Sequence, residues 1–265
     1  MSIDRKAKIL EARSWGDFHL LTIESPAVGR DARPGQFVMV KVADAPFPLL
    51  RRPLSLHDAG PDGIKLFFKT AGVGTEILAR KKPGDPVDIL GPLGKGYTVA
   101  PEIRGKRTYL VGGGRGIAPL FFLGREVSAL GARATVLYGG RCGADIPLRD
   151  EFESAGLVVL CSTDDGSFGF KGLVTGLLGR ELDRSPADRL FVCGPDPMMK
   201  AVAGMARERG IPAEFSLEAL MGCGIGACWG CVHRIRSGNG EGWVKICEEG
   251  PVFPGERIVW QDGER

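Results

Sequence analysis

Residues 107–131 read RTYLVGGGRGIAPLFFLGREVSALG. The run RTYLVG has the composition of a strand, four glycines fall within the next few positions, and the rest is an apolar stretch of helical length. A strand that enters a glycine turn and leaves as a helix is the setting a dinucleotide-binding turn requires. Gly112, Gly113, Gly114 and Gly116 permit a tight turn and close backbone approach to a pyrophosphate, and Pro119 stands near the helix start, where its missing N–H costs least. Downstream, RATVLYGG (133–140), LVVLCS (157–162) and RLFVCG (189–194) read as strands, while LVTGLLGREL (173–182) and PDPMMKAVAGMARERG (195–210) read as helices. The alternation predicts a doubly wound parallel sheet with helices on both faces. The acidic residue that marks a ribose hydroxyl about 20 positions beyond such a turn is not evident, because the second strand runs into LYGGRCGAD. Arg141 reads either as a solvated charge or as a neighbour of the adenosine ribose, so NAD and NADP stay open.

Upstream the rhythm differs. Residues 6–101 hold short β-rich runs, AKILEA, FHLLTIES, QFVMVKV, IKLFFKT and PVDILGP, broken by ARPGQ, GPDG and KKPGD. About six short strands at such spacing predict a closed antiparallel barrel. Within it, LLRRPLSLHD puts Arg52, Pro53, Leu54 and Ser55 on one extended segment. FFKTAGVGTEIL places Phe67, Phe68 and Lys69 before Gly72, Gly74 and Thr75, where a helix begins. An arginine suits bidentate phosphate binding and a helix N-terminus offers N–H groups to phosphate. Taken singly, Arg52 also reads as a solvated charge and GVGT as a turn.

Seven cysteines are unevenly spread: Cys142, Cys161 and Cys193 stand alone, while Cys223, Cys228, Cys231 and Cys247 fall together in MGCGIGACWGCVHRIRSGNGEGWVKICEEGPVF. The spacing C-x4-C-x2-C, then fifteen residues and a fourth cysteine, is that of plant-type ferredoxins. Zinc ribbons instead show two C-x2-C pairs. The four cysteines therefore read as ligands of a 2Fe-2S cluster, with Gly222, Gly224, Gly226 and Gly230 letting backbone N–H groups reach the sulfurs. His233 is close by but superfluous once four cysteines are in register. The stretches VHRIRS, WVKIC and RIVW that close the chain alternate like strands, and their apolar content is too small for an independent core. The expected units are 1–101, the barrel; 102–216, the nucleotide-binding α/β domain; and 217–265, the cluster-binding segment.

Composition is that of a globular chain: 265 residues, 43 % hydrophobic, 25 % charged, net charge +3. That balance gives no reason to expect nucleic acid. No apolar run approaches the roughly 18 residues of a membrane span, and the start lacks a signal-peptide core, which points to the cytoplasm. The 40 glycines are about twice the usual share of roughly 7 %, in keeping with ligands bound by backbone.

The succession R-P-L-S, G-x-G-T, GGGRGIAPL and CGPDPMM resembles the ferredoxin–NADP reductase superfamily over residues 6–217. The resemblance implies FAD in the barrel, a pyridine nucleotide on the α/β domain and Cys193 near the nicotinamide, although a small buried residue is the alternative for Cys193. The barrel motif is usually R-x-Y-S, so Leu54 is a departure that removes aromatic stacking there. The fused segment FSLEALMGCGIGACWGC…CEEGPVF is similar to the electron-transfer subunits of class B dihydroorotate dehydrogenase, whereas one related group has Asp where Cys223 stands. This implies an FMN-containing, dihydroorotate-oxidising catalytic partner, a heterotetrameric complex, NAD as the terminal partner and a role in pyrimidine biosynthesis. It also implies that the cysteines lie near the subunit interface. No residue of this chain is assigned as catalytic, and His19, His57 and His233 are scattered. The alternatives are an NAD(P)H-dependent reductase subunit for ferredoxin, sulfite or polysulfide, and a subunit that binds nucleotide passively.

Overall fold

The computed structural model describes residues 1–44, 46–238 and 240–260. The first strands are β1 (Ser2–Trp15), β2 (Phe18–Glu24), β3 (Phe37–Lys41), β4 (Arg52–Gly60), β5 (Gly63–Lys69) and β6 (Pro86–Leu93), with short helices α1 (Pro26–Gly29) and α2 (Val73–Ala79) between them. They close a six-stranded antiparallel barrel in the order β1-β2-β5-β4-β3-β6. Side chains alternate across each strand, so Ile9, Ile23, Val38, Val40, Leu56, Leu66 and Ile89 fill one interior. The Arg-Pro-Leu-Ser segment is itself the start of a barrel strand, β4, which runs on to Gly60.

The second unit comprises β7 (Arg107–Gly113), α3 (Ala118–Ala129), β8 (Arg133–Gly140), α4 (Arg149–Ser154), β9 (Val158–Thr163), β10 (Phe170–Lys171), α5 (Val174–Arg184), β11 (Arg189–Cys193), α6 (Asp196–Glu208) and β12 (Ala213–Ser216). The strand order is β10-β9-β8-β7-β11-β12, all parallel, with the first strand in sequence at the centre. Helices α5 and α6 bury one stripe each, Val174, Leu177, Leu178 and Leu182 in the first, and Met199, Val202 and Ala206 in the second. Helix α3 is different. Every residue from Ala118 to Gly124 is buried, because Leu120 and Leu123 pack on the sheet while Phe122 joins the barrel core. The all-round apolar APLFFLG is thus the imprint of a helix clamped between two units.

A polar contact locks the same junction. Glu151 of α4 meets Arg13 at 2.5 Å, Lys65 at 3.1 Å and His57 Nε2 at 3.7 Å, all three from the barrel. Burial alone raises the pKa of Glu151, but His57 and Lys65 outweigh it and bring it down to about 2. His57 is fully buried, its Nδ1 lies 3.0 Å from the Ala118 carbonyl and its ring stacks on Phe121 at 4.7 Å.

The last strands are β13 (Val232–Ser237) and β14 (Gly240–Lys245), a hairpin, followed by α7 (Ile246–Glu249) and β15 (Val252–Pro254). Two readings of the sequence are corrected here. RIVW is not a strand: it enters through a 3-10 turn and a single bridge between Ile258 and Ile235. The edge strand is β15, which pairs antiparallel with β12 and makes the sheet mixed. The segment has no core of its own. Cys231, Ile235, Val244, Ile246, Cys247 and Phe253 are continuous with Val192 and Phe215 of the α/β unit, so packing on that unit fastens it.

Candidate redox site

The carboxyl ends of β7, β8, β9 and β11 border a cavity of about 1090 Å³, where ligands of open α/β sheets bind. Gly113, Gly114 and Gly116 line it directly after β7. Gly116 has no room for a side chain: a Cβ there would lie 2.5 Å from the Cys193 carbonyl oxygen and 2.5 Å from the Gly194 Cα. Gly113 is similarly pressed by Met198 and Pro195, and Gly114 has φ 53°. Gly112 is buried under Ile117 behind the turn. The turn first forms a 3-10 segment, so α3 starts at Ala118, two residues after Gly116, where the apolar helical stretch begins in the sequence. Cys193 ends β11 beneath the turn. Burial pushes its thiol pKa well up, with the Glu218 charge adding to it, so it is a neutral, enclosed group.

Arg115 and Glu218 carry no sequence signal, whereas Lys69 belongs to the Phe-Phe-Lys run already singled out. Arg115, inside the glycine run, bonds Glu218 at 2.9 Å, and Glu218 opens the segment leading to the cysteines. Lys69 reaches the cavity from the barrel, 3.6 Å from Asp145 and over the Phe18 ring. Arg141 lines the cavity too, bonded to Asp145 at 2.8 Å.

In the barrel, the two motifs meet. A Cβ on Gly74 would lie 2.3 Å from Arg52 Nε, so the guanidinium rests over the first turn of α2. Arg52 also donates to the Leu50 carbonyl at 2.5 Å. Thr75 Oγ1 donates to the Gly72 carbonyl and accepts from the Ala71 N–H, both at 2.8 Å, which shapes the turn before the helix. Pro53, Leu54 and Ser55 are half-buried and pair with Met39, Val38 and Phe37 of β3. Phe67 and Phe68 point to opposite faces of β5: Phe67 stacks on Phe18 at the junction with the α/β unit, and Phe68 lies in the barrel core. Neither side chain is exposed, and what they offer a cofactor is a rigid strand.

The cysteine loop lies against β3. Gly224, with φ 74°, leaves no space for a Cβ against Met39, and Met39 is the cross-strand partner of Pro53. All four cysteines are free thiols, and Cys228 bears on the ionisation of Cys223 as Cys231 does on that of Cys247. Backbone N–H groups point at sulfur: Ile225 to Cys223 at 3.5 Å, Gly226 to Cys247 at 3.2 Å and Cys247 to Cys231 at 3.4 Å. Two thiol pairs with amides on sulfur suit a two-iron cluster, in which each iron takes two cysteines. Burial opposes ionisation of Cys223, but hydrogen bonds from Ile225 and Cys228 prevail and bring its pKa to about 7. Cys247 is pushed up to about 12 by burial and by Cys231. Lys245 braces the loop through the Gly226 carbonyl at 2.8 Å, Glu248 at 2.5 Å and the Trp229 ring. His233 is buried on β13 among the hairpin's packing side chains. Cys142 borders the Arg141 loop and Cys161 is buried in β9.

A six-stranded barrel docked on a nucleotide-type sheet, with a four-thiol loop between them, defines an oxidoreductase of the ferredoxin–NADP reductase type with an iron–sulfur segment. Residues 218–259 match the model for the iron-sulfur cluster binding domain of dihydroorotate dehydrogenase B, and residues 110–204 match the oxidoreductase NAD-binding domain. The dihydroorotate dehydrogenase B (NAD(+)) electron transfer subunit of Desulforamulus reducens is 41 % identical over 92 % of this chain and 93 % of its own length. That of Shouchella clausii is 40 % identical over 92 % and 93 %. The chain belongs to this family of dihydroorotate dehydrogenase B electron transfer subunits. Among solved structures, a chain of the NADH-dependent reduced ferredoxin–NADP oxidoreductase superposes with TM-score 0.84, 33 % identity and coverage of 98 % of this chain and 92 % of that one. The ferredoxin NADP+ reductase of Neisseria gonorrhoeae, with bound FAD and NADP, shares the fold at TM-score 0.65 and 17 % identity, covering 79 % and 92 %.

Proposed function

We propose that this chain passes electrons between a dihydroorotate-oxidising, FMN-containing subunit and NAD, in pyrimidine biosynthesis. The observation that carries the reading is the seating of the cysteine loop on Met39, the strand neighbour of the Arg-Pro-Leu-Ser segment. Cysteines seated there would hold a cluster beside β3, the strand paired with the segment that would hold the flavin. FAD, when bound, supplies the exchange between the two-electron hydride of a nicotinamide and the one-electron chemistry of a 2Fe-2S cluster.

The chain's own residues hold and screen. Arg52, with the first turn of α2 at Gly74 and Thr75, suits the cofactor's pyrophosphate, and Pro53, Leu54, Ser55 and the β5 segment Phe67, Phe68 and Lys69 border the flavin. Gly113, Gly114 and Gly116 receive the nucleotide's pyrophosphate, whereas Gly112 packs behind the turn under Ile117, and Cys193, enclosed beneath the turn, supports it rather than lining the cleft. Cys223, Cys228, Cys231 and Cys247 hold the cluster. The units run 1–101, 102–216 and 217–265, the final five residues lying outside the described ones.

Around the cysteines, Leu220, Ile225, Trp229 and Trp243 are all exposed, Leu220 by 87 %. Such an apolar rim supports docking of the catalytic partner on this face, in a heterotetramer. No helix among the described residues is long and apolar enough to cross a membrane, in keeping with a place in the cytoplasm. The likeness to the NADH-dependent ferredoxin–NADP oxidoreductase chain supports a second reading, a reductase subunit for ferredoxin, sulfite or polysulfide. Co-expression with a dihydroorotate-oxidising FMN subunit separates the two. Dihydroorotate-dependent NAD+ reduction by the co-purified complex is expected; full NADH–sulfite activity of this chain without that partner would sink the main reading.

A further inference from the structure

Lys245, the last residue of β14, brings a positive charge into the cysteine loop. Its ammonium donates to the Gly226 carbonyl at 2.8 Å, lies 2.5 Å from Glu248 Oε2 and sits 5.0 Å from the centroid of the Trp229 ring. A Cβ on Gly226 would lie 2.7 Å from Glu248 Oε2, so ammonium and carboxylate share one turn of the loop. The Lys245 side chain is only 18 % exposed, whereas that of Glu248 is 53 % exposed. A charge kept from water acts on its neighbours through a lower dielectric than a solvated one, and here the cation is the better kept.

The carbonyl that Lys245 holds leads to sulfur. It forms one planar peptide unit with the Ala227 N–H, and that N–H is among the backbone donors directed at the Cys223 sulfur. The preceding peptide unit sends the Gly226 N–H to Cys247 Sγ at 3.2 Å. A cation on the oxygen of an amide polarises it and strengthens the bond its N–H makes. The ammonium thus reaches the sulfurs in two ways, through space and through the 226–227 amide. Trp229 completes the arrangement. Its φ is 55°, and among the described residues no other residue except glycine has a positive φ. A bulky residue stays in left-handed backbone only where its surroundings over-determine it, and here the indole, though exposed, lies over the ammonium.

We infer that Lys245 is a positioning residue that tunes the redox equilibrium of the cysteine site: its charge, held on the Gly226 carbonyl and covered by Trp229, favours the reduced state, and Glu248 opposes it. The inference rests on Cys223, Cys228, Cys231 and Cys247 being ligands of a 2Fe-2S cluster, as proposed above. Reduction adds one electron, taken from the reduced flavin, and makes or breaks no bond, so the site gains one negative charge. Net charge and hydrogen bonds to the sulfurs set the potential of such a cluster, and a nearby cation raises it.

The test is an anaerobic redox titration of the full chain with its cofactors loaded, with dithionite as reductant. The midpoint of the 2Fe-2S paramagnetic signal is read for the wild type, Lys245→Met, Trp229→Ala and Glu248→Gln. Lys245→Met should move the equilibrium about tenfold towards the oxidised state, a midpoint lower by about 59 mV for a one-electron couple. Trp229→Ala, which keeps the charge but opens it to water, should move it the same way by about threefold. Glu248→Gln should move it about threefold in the opposite direction. Because Glu248 is exposed, its variant keeps the test decisive if Lys245→Met fails to hold the cluster. A lysine that only braced the loop would give opposite signs no reason to appear. Unchanged midpoints, or shifts of the same sign in Lys245→Met and Glu248→Gln, would overturn the inference alone. A wild type with no 2Fe-2S signal would overturn the ligand reading and the inference with it.

Discussion

The turn after β7 and the cysteine loop are both rich in glycine, yet glycine does different things in them. At Gly116 the neighbours leave no room, since the end of β11 presses on the turn from below. At Gly224 and Gly226 the backbone is left-handed, with φ 74° and 82°, and the Gly226 amide is delivered to a sulfur. At Gly222 and Gly230 an added Cβ would meet Cys228 Sγ at only 3.4 and 3.5 Å, ordinary contact. The nucleotide turn is thus a product of the surrounding core, with α3 clamped on both sides. The cysteine loop combines left-handed backbone at Gly224 and Gly226 with a close seat on Met39 and with what its sulfurs bind.

That contrast can be broken at its strongest point first. Cys228→Ser should abolish the 2Fe-2S visible and paramagnetic signals while leaving bound FAD reducible by NADH, because the turn and the barrel do not depend on the loop. An unchanged cluster spectrum would refute the ligand assignment. Gly116→Ala should do the reverse: it should cost about 1–3 kcal/mol in chemical denaturation and weaken NADH binding with the cluster signal intact.

The junction beneath the turn should respond to pH. The folded pKa of Glu151 is depressed to about 2 from an ordinary 4.5, so its stabilisation is complete above pH ~5 and is lost as pH falls through ~2. We expect Glu151→Gln to lose about 2 kcal/mol at pH 7, after allowance for partial exposure, with the wild-type advantage fading in acid unfolding curves. A constant difference down to pH 2 would contradict the ion-pair account. The smallest effect belongs to Gly222→Ala, which should shift stability by no more than about 0.5 kcal/mol and leave the cluster spectrum unchanged. Gly226→Ala, forced to a left-handed φ, should cost about 1–2 kcal/mol and disturb the spectrum.

The parts of the fold with a strong period or spacing were legible in the sequence. The barrel runs, the strand–turn–helix at 107–131 and the four cysteines could all be read because each is a local pattern. RIVW failed because alternation in a short run cannot tell an edge strand from a tail packed on a hairpin; the pairing of β15 with β12 is a long-range event. Helix α4 and strand β12 also went unread, being too short to show a period. The site divides in the same way. The glycines and cysteines announce themselves by spacing, whereas Glu218 on Arg115, Lys69 on Asp145 and Lys245 on the Gly226 carbonyl join residues that only folding brings together.

The central claim, that one chain couples a nucleotide cleft to a cysteine-held cluster by way of the barrel, is tested most directly by anaerobic NADH titration of the cofactor-loaded protein, with flavin absorbance and cluster paramagnetic resonance followed together. We expect the flavin to bleach and the reduced 2Fe-2S signal to grow with it. A fully bleached flavin with no cluster signal, or a reduced cluster beside an oxidised flavin in the Gly116→Ala protein, would contradict the account.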